Sequence, residues 1–235
     1  MNNTQRSLLA VFIPMTILII VFDNILPQEK MVNYVRYAIM ISLFLVAISI
    51  KKKFHEQKIM ALSFLFLVIA DFFLVFSQTI DKLKMNLTPF GVAGFLFAYI
   101  CLIVAYQKNF LGWRKAEIIS AIPIVIIFIM VGRPLFNNIS GVMKIGAIFF
   151  GLVLCYMTWT SICTIFRKYY TRKIAIIIAI SGVLMFVCDV GVAYSLFHPY
   201  YSKVYIPLFK NVIWIAYIIG WTLLDVIISE KDLRI

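Results

Sequence analysis

Residues 174–195 read IAIIIAISGVLMFVCDVGVAYS, and this stretch decides the fold class. Its length is what an α-helix needs to cross about 30 Å of hydrocarbon at roughly 1.5 Å per residue. Asp189 is the sole charged residue within it. Hydrophobic residues make up 63% of the whole chain and charged residues 14%, against roughly 45–50% and about 25% in soluble proteins. The sequence therefore predicts an integral membrane protein.

Similar apolar runs recur along the chain and predict eight transmembrane helices. They cover residues 7–26, 32–50, 59–77, 89–107, 116–131, 141–165, 174–195 and 206–228. The sequence lacks the alternating pattern of outer-membrane barrel strands, so helices are the expected spans. Because eight helices use nearly all of the residues, we expect an all-α, polytopic membrane protein. It should form a single transmembrane bundle over residues 1–235, without a soluble domain.

The distribution of Lys and Arg predicts the orientation of this bundle. The loops between helices 2 and 3, 4 and 5, and 6 and 7 are rich in these residues, as cytoplasmic loops are. Both termini are therefore expected in the cytoplasm. The net charge of +12 is spread along the ends of the spans and forms no basic face. It favours contact with anionic lipid headgroups and argues against nucleic acid as a partner.

No cofactor or metal ion is expected from the sequence. The four cysteines, Cys101, Cys155, Cys163 and Cys188, lie in predicted spans and show no metal-binding spacing. Both histidines fall in predicted loops, and no glycine-rich phosphate loop is present. Short loops and the lack of a targeting segment favour a bacterial plasma membrane, with the first helix retained instead of being cleaved as a signal peptide.

The chain matches itself at a spacing of 118 residues, which pairs Asp71 with Asp189 and Tyr99 with Tyr217. The same shift aligns Ile59 with Ile177, Ala61 with Ala179, Ser63 with Ser181, Ser77 with Ser195, Pro89 with Pro207, Ala98 with Ala216 and Ile100 with Ile218. It maps helices 3 and 4 onto helices 7 and 8, and spans four apart run in the same direction. We therefore expect a parallel repeat, with halves at about 1–115 and 116–235, related by an axis along the membrane normal.

Asp71 and Asp189 are the candidate catalytic residues. A carboxyl deep in a span costs on the order of 2.5–3.5 kcal/mol on insertion scales and normally faces a partner inside the bundle. Because neither span carries a Lys or Arg at that depth, we expect the two carboxyls to lie together with water and tyrosine hydroxyls. Two such carboxyls do not both ionise readily, so the pair is expected to share a proton. A general acid would then stand beside a general base.

Three further residues are candidates for binding or orienting a substrate. Tyr99 and Tyr217 lie within roughly two turns of the aspartates, where a phenol could hydrogen-bond a carboxyl or line a lipid tail. Lys210 could hold a lipid phosphate, as one of four lysines near the outer side, the others being Lys82, Lys84 and Lys203. The structural alternatives are that the aspartates stabilise helix packing, that the tyrosines fill the core, and that the lysines anchor the protein at the interface.

Three stretches around these residues resemble the YhhN-like lysoplasmalogenase family. They read ALSFLFLVIADFFL at 61–74, GVAGFLFAYI at 91–100 and SGVLMFVCD at 181–189. Members of that family have eight spans, a Gly-Asp in helix 3, a glycine-rich helix 4 with a His, and a Ser-Asp in helix 7. The chain departs from this pattern at Ala70, Cys188, Tyr99 and Tyr217, where the family tends to have Gly, Ser, His and Gln.

The resemblance implies a membrane enzyme that takes a lysoplasmalogen from the bilayer and hydrolyses its vinyl ether bond. Asp71 and Asp189 would be its catalytic pair, and the products would be a fatty aldehyde and a glycerophospho-headgroup compound. A proton-coupled transporter of small molecules or lipids is the main alternative, because parallel repeats and intramembrane carboxyls also occur in transporters. An intramembrane aspartyl protease fits less well, since its Gly-x-Gly-Asp motif is absent, and a purely structural protein is a further alternative.

Overall fold

A computed structural model describes residues 2–27, 29–80, 87–110 and 114–235. Within these residues the chain forms eight helices that are long and apolar enough to cross a membrane, and it forms no β-strand. Their bounds are α1 Asn3–Ile25, α2 Lys30–Ser49, α3 His55–Asp71, α4 Thr88–Tyr106, α5 Lys115–Phe136, α6 Gly141–Arg167, α7 Arg172–Phe197 and α8 Pro207–Ile228. The prediction of an all-α membrane protein with eight spans is confirmed.

Two helix boundaries differ from the prediction for identifiable reasons. α3 begins before residue 59, because Gln57 Oε1 accepts hydrogen bonds from the backbone N–H groups of Lys53 and Phe54 and so orders the first turn. α5 continues past residue 131 to Phe136, although Pro134 lies inside it and removes one backbone donor. Charged or helix-breaking residues at these positions therefore hide the true ends of both helices from a hydropathy argument.

The centre of the bundle is made of two helix pairs, α3 with α4 and α7 with α8. α6 packs against α7 and α4, α1 packs against α8, and α2 lies against α3 and α8. α5 is peripheral: it contacts α6 and α7, but no described residue of α5 lies against α4. The outward side of α5 is aliphatic, with Ile119 64% and Met130 69% exposed. A space therefore remains between α4 and α5.

Small residues bring the central helices together. A Cβ added at Gly94 of α4 would lie 2.9 Å from Ala70 Cβ and 3.0 Å from its backbone on α3. A Cβ added at Gly182 of α7 would lie 2.1 Å from Ser161 Oγ on α6. Because hydrocarbon does not drive apolar helices together, close backbone approach at small residues is a major source of stability in such bundles.

The two ends of the chain meet at one end of the bundle, which we call the terminal end, and the opposite end is the far end. Asn2 Nδ2 donates to Ser229 O at 3.0 Å. Arg234 Nη2 lies 2.9 Å from Glu56 Oε2, and Leu233, which directly precedes Arg234, is fully buried. The terminal end is thus closed by polar contacts that join α1, α3 and the C-terminal segment.

Candidate active site

Asp71 stands where the geometry of its span changes. It is the last residue of the α-helical part of α3, it is 2% exposed, and a π-helical turn, Phe72–Phe76, follows directly. Such π-turns are rare in proteins overall, and those that occur often lie at functional sites. On the preceding side, Ala70 is held against Gly94 of α4. The carboxyl is therefore placed by a local change of helix type and by one close contact between helices.

Asp189 occupies a similar level on α7, which stays α-helical throughout. It is 7% exposed, and it lies about two-thirds of the way along its span from the terminal end, as Asp71 does. Beyond it, α8 comes close, because a Cβ added at Gly191 would lie 2.5 Å from Ile213 Cγ1. The two aspartates thus sit at the same depth, and both border the polar cavity described below.

Each carboxyl accepts a hydrogen bond from the tyrosine that follows the other aspartate in sequence. Tyr217 of α8 donates its hydroxyl to Asp71 Oδ2 at 2.5 Å. Tyr99 of α4 donates its hydroxyl to Asp189 Oδ2. Both phenols are buried. The structure therefore brings all four residues together and links α8 to α3 and α4 to α7 by reciprocal contacts.

A polar cavity of about 430 Å³ opens from this group toward the far end. Its polar and charged lining residues are Asp23, Asn33, Arg36, Asp71, Gln78, Asp189, Ser195, Tyr205, Lys210 and Tyr217. Gln78, toward the end of its span, is exposed, whereas Asp71 and Asp189 are buried. The cavity therefore leads from the surface at the far end to the two carboxyls.

Arg36 of α2 is the most firmly held cation of the polar cavity. Its Nη2 atom lies 2.7 Å from Asp23 Oδ2, and its guanidinium carbon lies 4.2 Å from the ring centroid of Trp214. Its Nε atom has no hydrogen-bond partner among the described residues. Lys210 is half-buried on the same cavity and forms no ion pair within the described part of the chain. Arg36, Lys210 and Asp23 thus face the cavity near the far end of the bundle.

An apolar cavity of about 420 Å³ lies on the other side of Asp189, in the space that α5 leaves beside α4. It is lined mainly by aliphatic and aromatic side chains of α4, α5, α6 and α7, and Asp189 is the charged residue in its lining. The two cavities share the following lining residues: Leu74, Phe95, Asp189, Val192 and Leu196. Asp189 therefore borders both cavities, whereas Asp71 borders the polar one.

Among the residues singled out from the sequence, Lys210 lines the polar cavity and Lys203 does not. Lys203 is exposed in the segment between α7 and α8, and Lys82 and Lys84 lie outside the described residues. Sequence reasoning missed Arg36 and Asp23, because both read as ordinary charges near the ends of spans. The available signal was that Arg36 falls inside the predicted second span, where a charge needs a partner.

Another buried carboxyl, Asp225 of α8, lies apart from this site. It is fully buried, and neither side-chain oxygen has a hydrogen-bond partner among the described residues. It lies near the terminal end of α8 and does not line either cavity. Burial alone therefore does not distinguish the candidate site, whereas contact of the two aspartates with the cavities does.

Comparison with known proteins identifies one family. The model of the YhhN family matches residues 8–226, which is most of the chain. No curated protein and no solved structure matches the sequence. The matched range includes all eight helices nearly in full, together with both aspartates and both tyrosines.

Proposed function

The chain belongs to the YhhN family, and from this premise we propose that it hydrolyses the vinyl ether bond of a lysoplasmalogen within the membrane. The products are a fatty aldehyde and a glycerophospho-headgroup compound. We place the protein in a bacterial plasma membrane with the terminal end in the cytoplasm, following the distribution of Lys and Arg. The reaction needs water as its co-substrate and no cofactor.

The observation that carries this proposal is the position of the carboxyls between a polar and an apolar cavity. A lysoplasmalogen has one hydrocarbon chain and one polar headgroup, and its vinyl ether bond lies at the boundary between them. A substrate with its chain in the apolar cavity and its headgroup in the polar cavity therefore has this bond beside Asp189. Asp71 is then on the headgroup side.

This arrangement assigns different roles to the two aspartates. Asp189, protonated, donates its proton to the vinyl β-carbon, which is the atom on the chain side of the bond. Water adds to the oxocarbenium carbon, and Asp71, ionised, accepts a proton from that water. The resulting hemiacetal breaks when Asp71 returns this proton to the glyceryl oxygen and Asp189 takes up the hydroxyl proton. The pair ends with one proton, as it began.

The tyrosines fix the carboxyls for these steps. A phenol that donates to one carboxylate oxygen orients the group and leaves its other oxygen for the substrate or water. Tyr99 does this for Asp189, and Tyr217 does it for Asp71. At the two positions in helices 4 and 8 where the chain departs from the family pattern, the tyrosines thus supply hydrogen-bond donors to the carboxyls.

Proton-coupled transport is the second candidate, and the reciprocal Asp–Tyr contacts are the observation that favours it. They support a repeat with halves at about 1–115 and 116–235, an architecture that transporters use for alternating access. Against transport, fully buried Phe64, Leu102 and Trp221 fill the core between the carboxyls and the terminal end. A bilayer enzyme requires no opening on that side.

Aldehyde release by the purified protein tests the proposal. Given a lysoplasmalogen and the matching ester lysolipid, the wild type should release aldehyde from the vinyl ether alone. The Asp71→Asn, Asp189→Asn double variant should release none while remaining folded. Asp225→Asn, which removes a buried carboxyl outside both cavities, is the matched control and should keep its turnover. A folded wild-type protein that releases no aldehyde would exclude the proposed reaction and leave transport as the function to test.

A further inference from the structure

The two cavities occupy equivalent places in the proposed repeat. The polar cavity is lined from α1, α2, α3, α7 and α8 with Phe95 of α4, and the apolar cavity from α5, α6, α7 and α4 with Leu74 of the α3 span. Apart from Phe95, a shift of four helices converts the first set into the second. The contacts between helices show the same shift of four. α2 packs on α3 and α8, and its counterpart α6 packs on α7 and α4.

The residue spacing that relates the two aspartates also relates the walls of the two cavities. Shifting by 118 residues takes Asn33, Arg36 and Gln78 of the polar cavity to Gly151, Leu154 and Leu196 of the apolar one. It takes Val92 of the apolar cavity to Lys210 of the polar one. At each of these four positions a polar or charged side chain corresponds to an apolar residue or glycine, and Leu196 lies where the two cavities meet. The cavities therefore have a related architecture and differ in polarity at these positions.

The charges of the polar cavity define the anion that it fits. Arg36 and Lys210 contribute two positive charges, and Asp23 offsets one of them through its contact with Arg36. Arg36, Lys210 and Asp23 together therefore keep one positive charge near the far end, apart from the carboxyl pair deeper in the cavity, and the unpartnered Nε–H of Arg36 is available as a donor. A phosphodiester carries one negative charge and accepts such hydrogen bonds. A phosphate in this position would balance the charge of Arg36, Asp23 and Lys210.

We propose that Arg36 and Lys210 bind the phosphodiester of the lipid and so select for a ligand that carries a phosphate, while the apolar cavity holds the hydrocarbon chain. The position of the cleavable bond rests on the proposed function, but the binding specificity does not. The site therefore distinguishes its ligand both by a phosphate and by a chain. Neither a free phosphodiester nor an uncharged single-chain lipid satisfies both cavities.

Binding of uncleavable probes tests this site separately from catalysis. The first probe is 1-O-hexadecyl lysophosphocholine, which lacks the vinyl double bond, and the second is 1-O-hexadecylglycerol, which also lacks the phosphate. The third is soluble glycerophosphocholine, which has the phosphodiester without the chain. Binding to the protein in nanodiscs is measured by native mass spectrometry. The wild type should prefer the first probe to hexadecylglycerol by about ten- to hundredfold, as expected for charge-assisted hydrogen bonds. It should also bind the first probe more tightly than glycerophosphocholine, because only the first probe buries a hydrocarbon chain.

Three variants locate the two parts of the site. Lys210→Gln, which breaks no ion pair among the described residues, and Arg36→Gln should each remove most of the preference for phosphate and leave hexadecylglycerol binding unchanged. Gly146→Leu should weaken the binding of both hexadecyl probes, because Gly146 lines the apolar cavity and a Cβ there meets no atom within 4 Å.

The matched controls are Lys203→Gln, on an exposed lysine outside the polar cavity, and Ile145→Phe, on a lipid-facing neighbour of Gly146. Both should bind like the wild type.

The outcomes separate this inference from the proposed reaction. Equal binding of the two hexadecyl probes to the wild type, or an unchanged phosphate preference in Lys210→Gln, would overturn the phosphate site. Binding of glycerophosphocholine as tight as that of the lipid would show a site for a free phosphodiester and overturn the chain-binding role. A phosphate preference that persists in a protein that releases no aldehyde would support the site and reject the reaction.

Discussion

Asp71 and Asp189 are chemically identical residues that stand in different surroundings. Each accepts a hydrogen bond from one tyrosine, yet Asp189 borders both cavities and Asp71 borders the polar one. In a reaction that first protonates carbon and then adds water, each of the two steps would therefore depend on a different aspartate. Substitution of one aspartate should therefore have different chemical consequences from substitution of the other.

We expect Asp71→Asn to keep the carbon-protonation step and lose hydrolysis, because Asp189 remains as the acid. In D₂O this variant should exchange deuterium into the vinyl β-position of the lipid while releasing little aldehyde. Asp189→Asn should lose both exchange and hydrolysis. Mass spectrometry of the recovered lipid measures the exchange. Deuterium uptake in Asp189→Asn and not in Asp71→Asn would reverse the assignment of acid and base.

The sequence predicts the four central residues of the site better than its rim. Asp71, Asp189, Tyr99 and Tyr217 are polar residues at rare, related positions in apolar spans, so they can be recognised without coordinates. The pairing of each tyrosine with the other aspartate depends on how α3, α4, α7 and α8 cross, which no spacing along one helix reveals. Arg36 is missed because its partners lie on α1 and α8, far away in sequence.

At the scale of helices, the contact between α3 and α4 controls the site through Gly94. The residue that Gly94 touches, Ala70, directly precedes Asp71. Any separation of the two helices at this contact therefore moves the carboxyl relative to Tyr217 and the polar cavity.

Gly94→Ala should destabilise the protein and reduce its turnover. The added methyl would meet backbone atoms of α3 at 3.0 Å, which cannot rotate away, and overpacking of this kind costs roughly 1–3 kcal/mol. This exceeds the helix-propensity gain of about 1 kcal/mol for replacing Gly by Ala. Thermal unfolding in detergent, followed by tryptophan fluorescence, measures the effect.

Gly146→Ala is the matched substitution for stability. Its Cβ meets no atom within 4 Å, so the propensity gain is unopposed and the unfolding temperature should rise slightly. If the two alanine variants unfolded at the same temperature, close packing at Gly94 would not be what sets the distance between α3 and α4.

Helix existence could be predicted from hydropathy, whereas helix type could not. Every apolar run that predicts a span forms a helix. The change from α to π geometry after Asp71 leaves no mark in the hydropathy of Phe72–Phe76, because it inserts a wider turn without changing residue polarity. Such a change depends on packing against neighbouring helices.

At the scale of the molecule, Glu230 connects the two ends of the chain at the terminal end of the bundle. Its carboxylate accepts hydrogen bonds from Gln5 Nε2 at 2.8 Å and from the backbone N–H of Lys231 at 3.0 Å. Burial by itself would raise the pKa of Glu230, but these hydrogen bonds and the nearby charge of Lys173 hold this pKa below its usual range. The ionised form of Glu230 is thus favoured by folding.

We therefore expect Glu230 to stabilise the protein at neutral pH and to lose this effect in acid. Because the pKa is lower in the folded than in the unfolded chain, the stabilisation is complete above the ordinary Glu value of about 4.3. The stabilisation is lost as the pH falls through the pKa that Glu230 has in the folded chain. The unfolding temperature of the wild type should exceed that of Glu230→Gln near neutral pH, and the two should converge in acid. A difference that stays constant across this range would contradict the assigned role.

The architecture as a whole was predictable to the level of eight helices in one bundle, because the membrane imposes span length and satisfied backbone groups. The position of α5 was not. Its hydropathy resembles that of the other spans, and its distance from α4 depends on the side chains that α4, α6 and α7 present. That distance creates the apolar cavity.

Under the proposed reaction, the space beside α5 also determines how the two products separate. The aldehyde forms with its chain in a cavity whose lining reaches exposed Gly146 on α6, so it can diffuse sideways into the bilayer. The glycerophospho-headgroup compound forms in the cavity that opens at the far end and dissolves in water. Each product leaves into the phase that dissolves it, and neither has to pass the carboxyls on the way out. Under the proposed reaction, release is driven by partitioning, and accumulated aqueous product does not obstruct the entry of the next lipid chain.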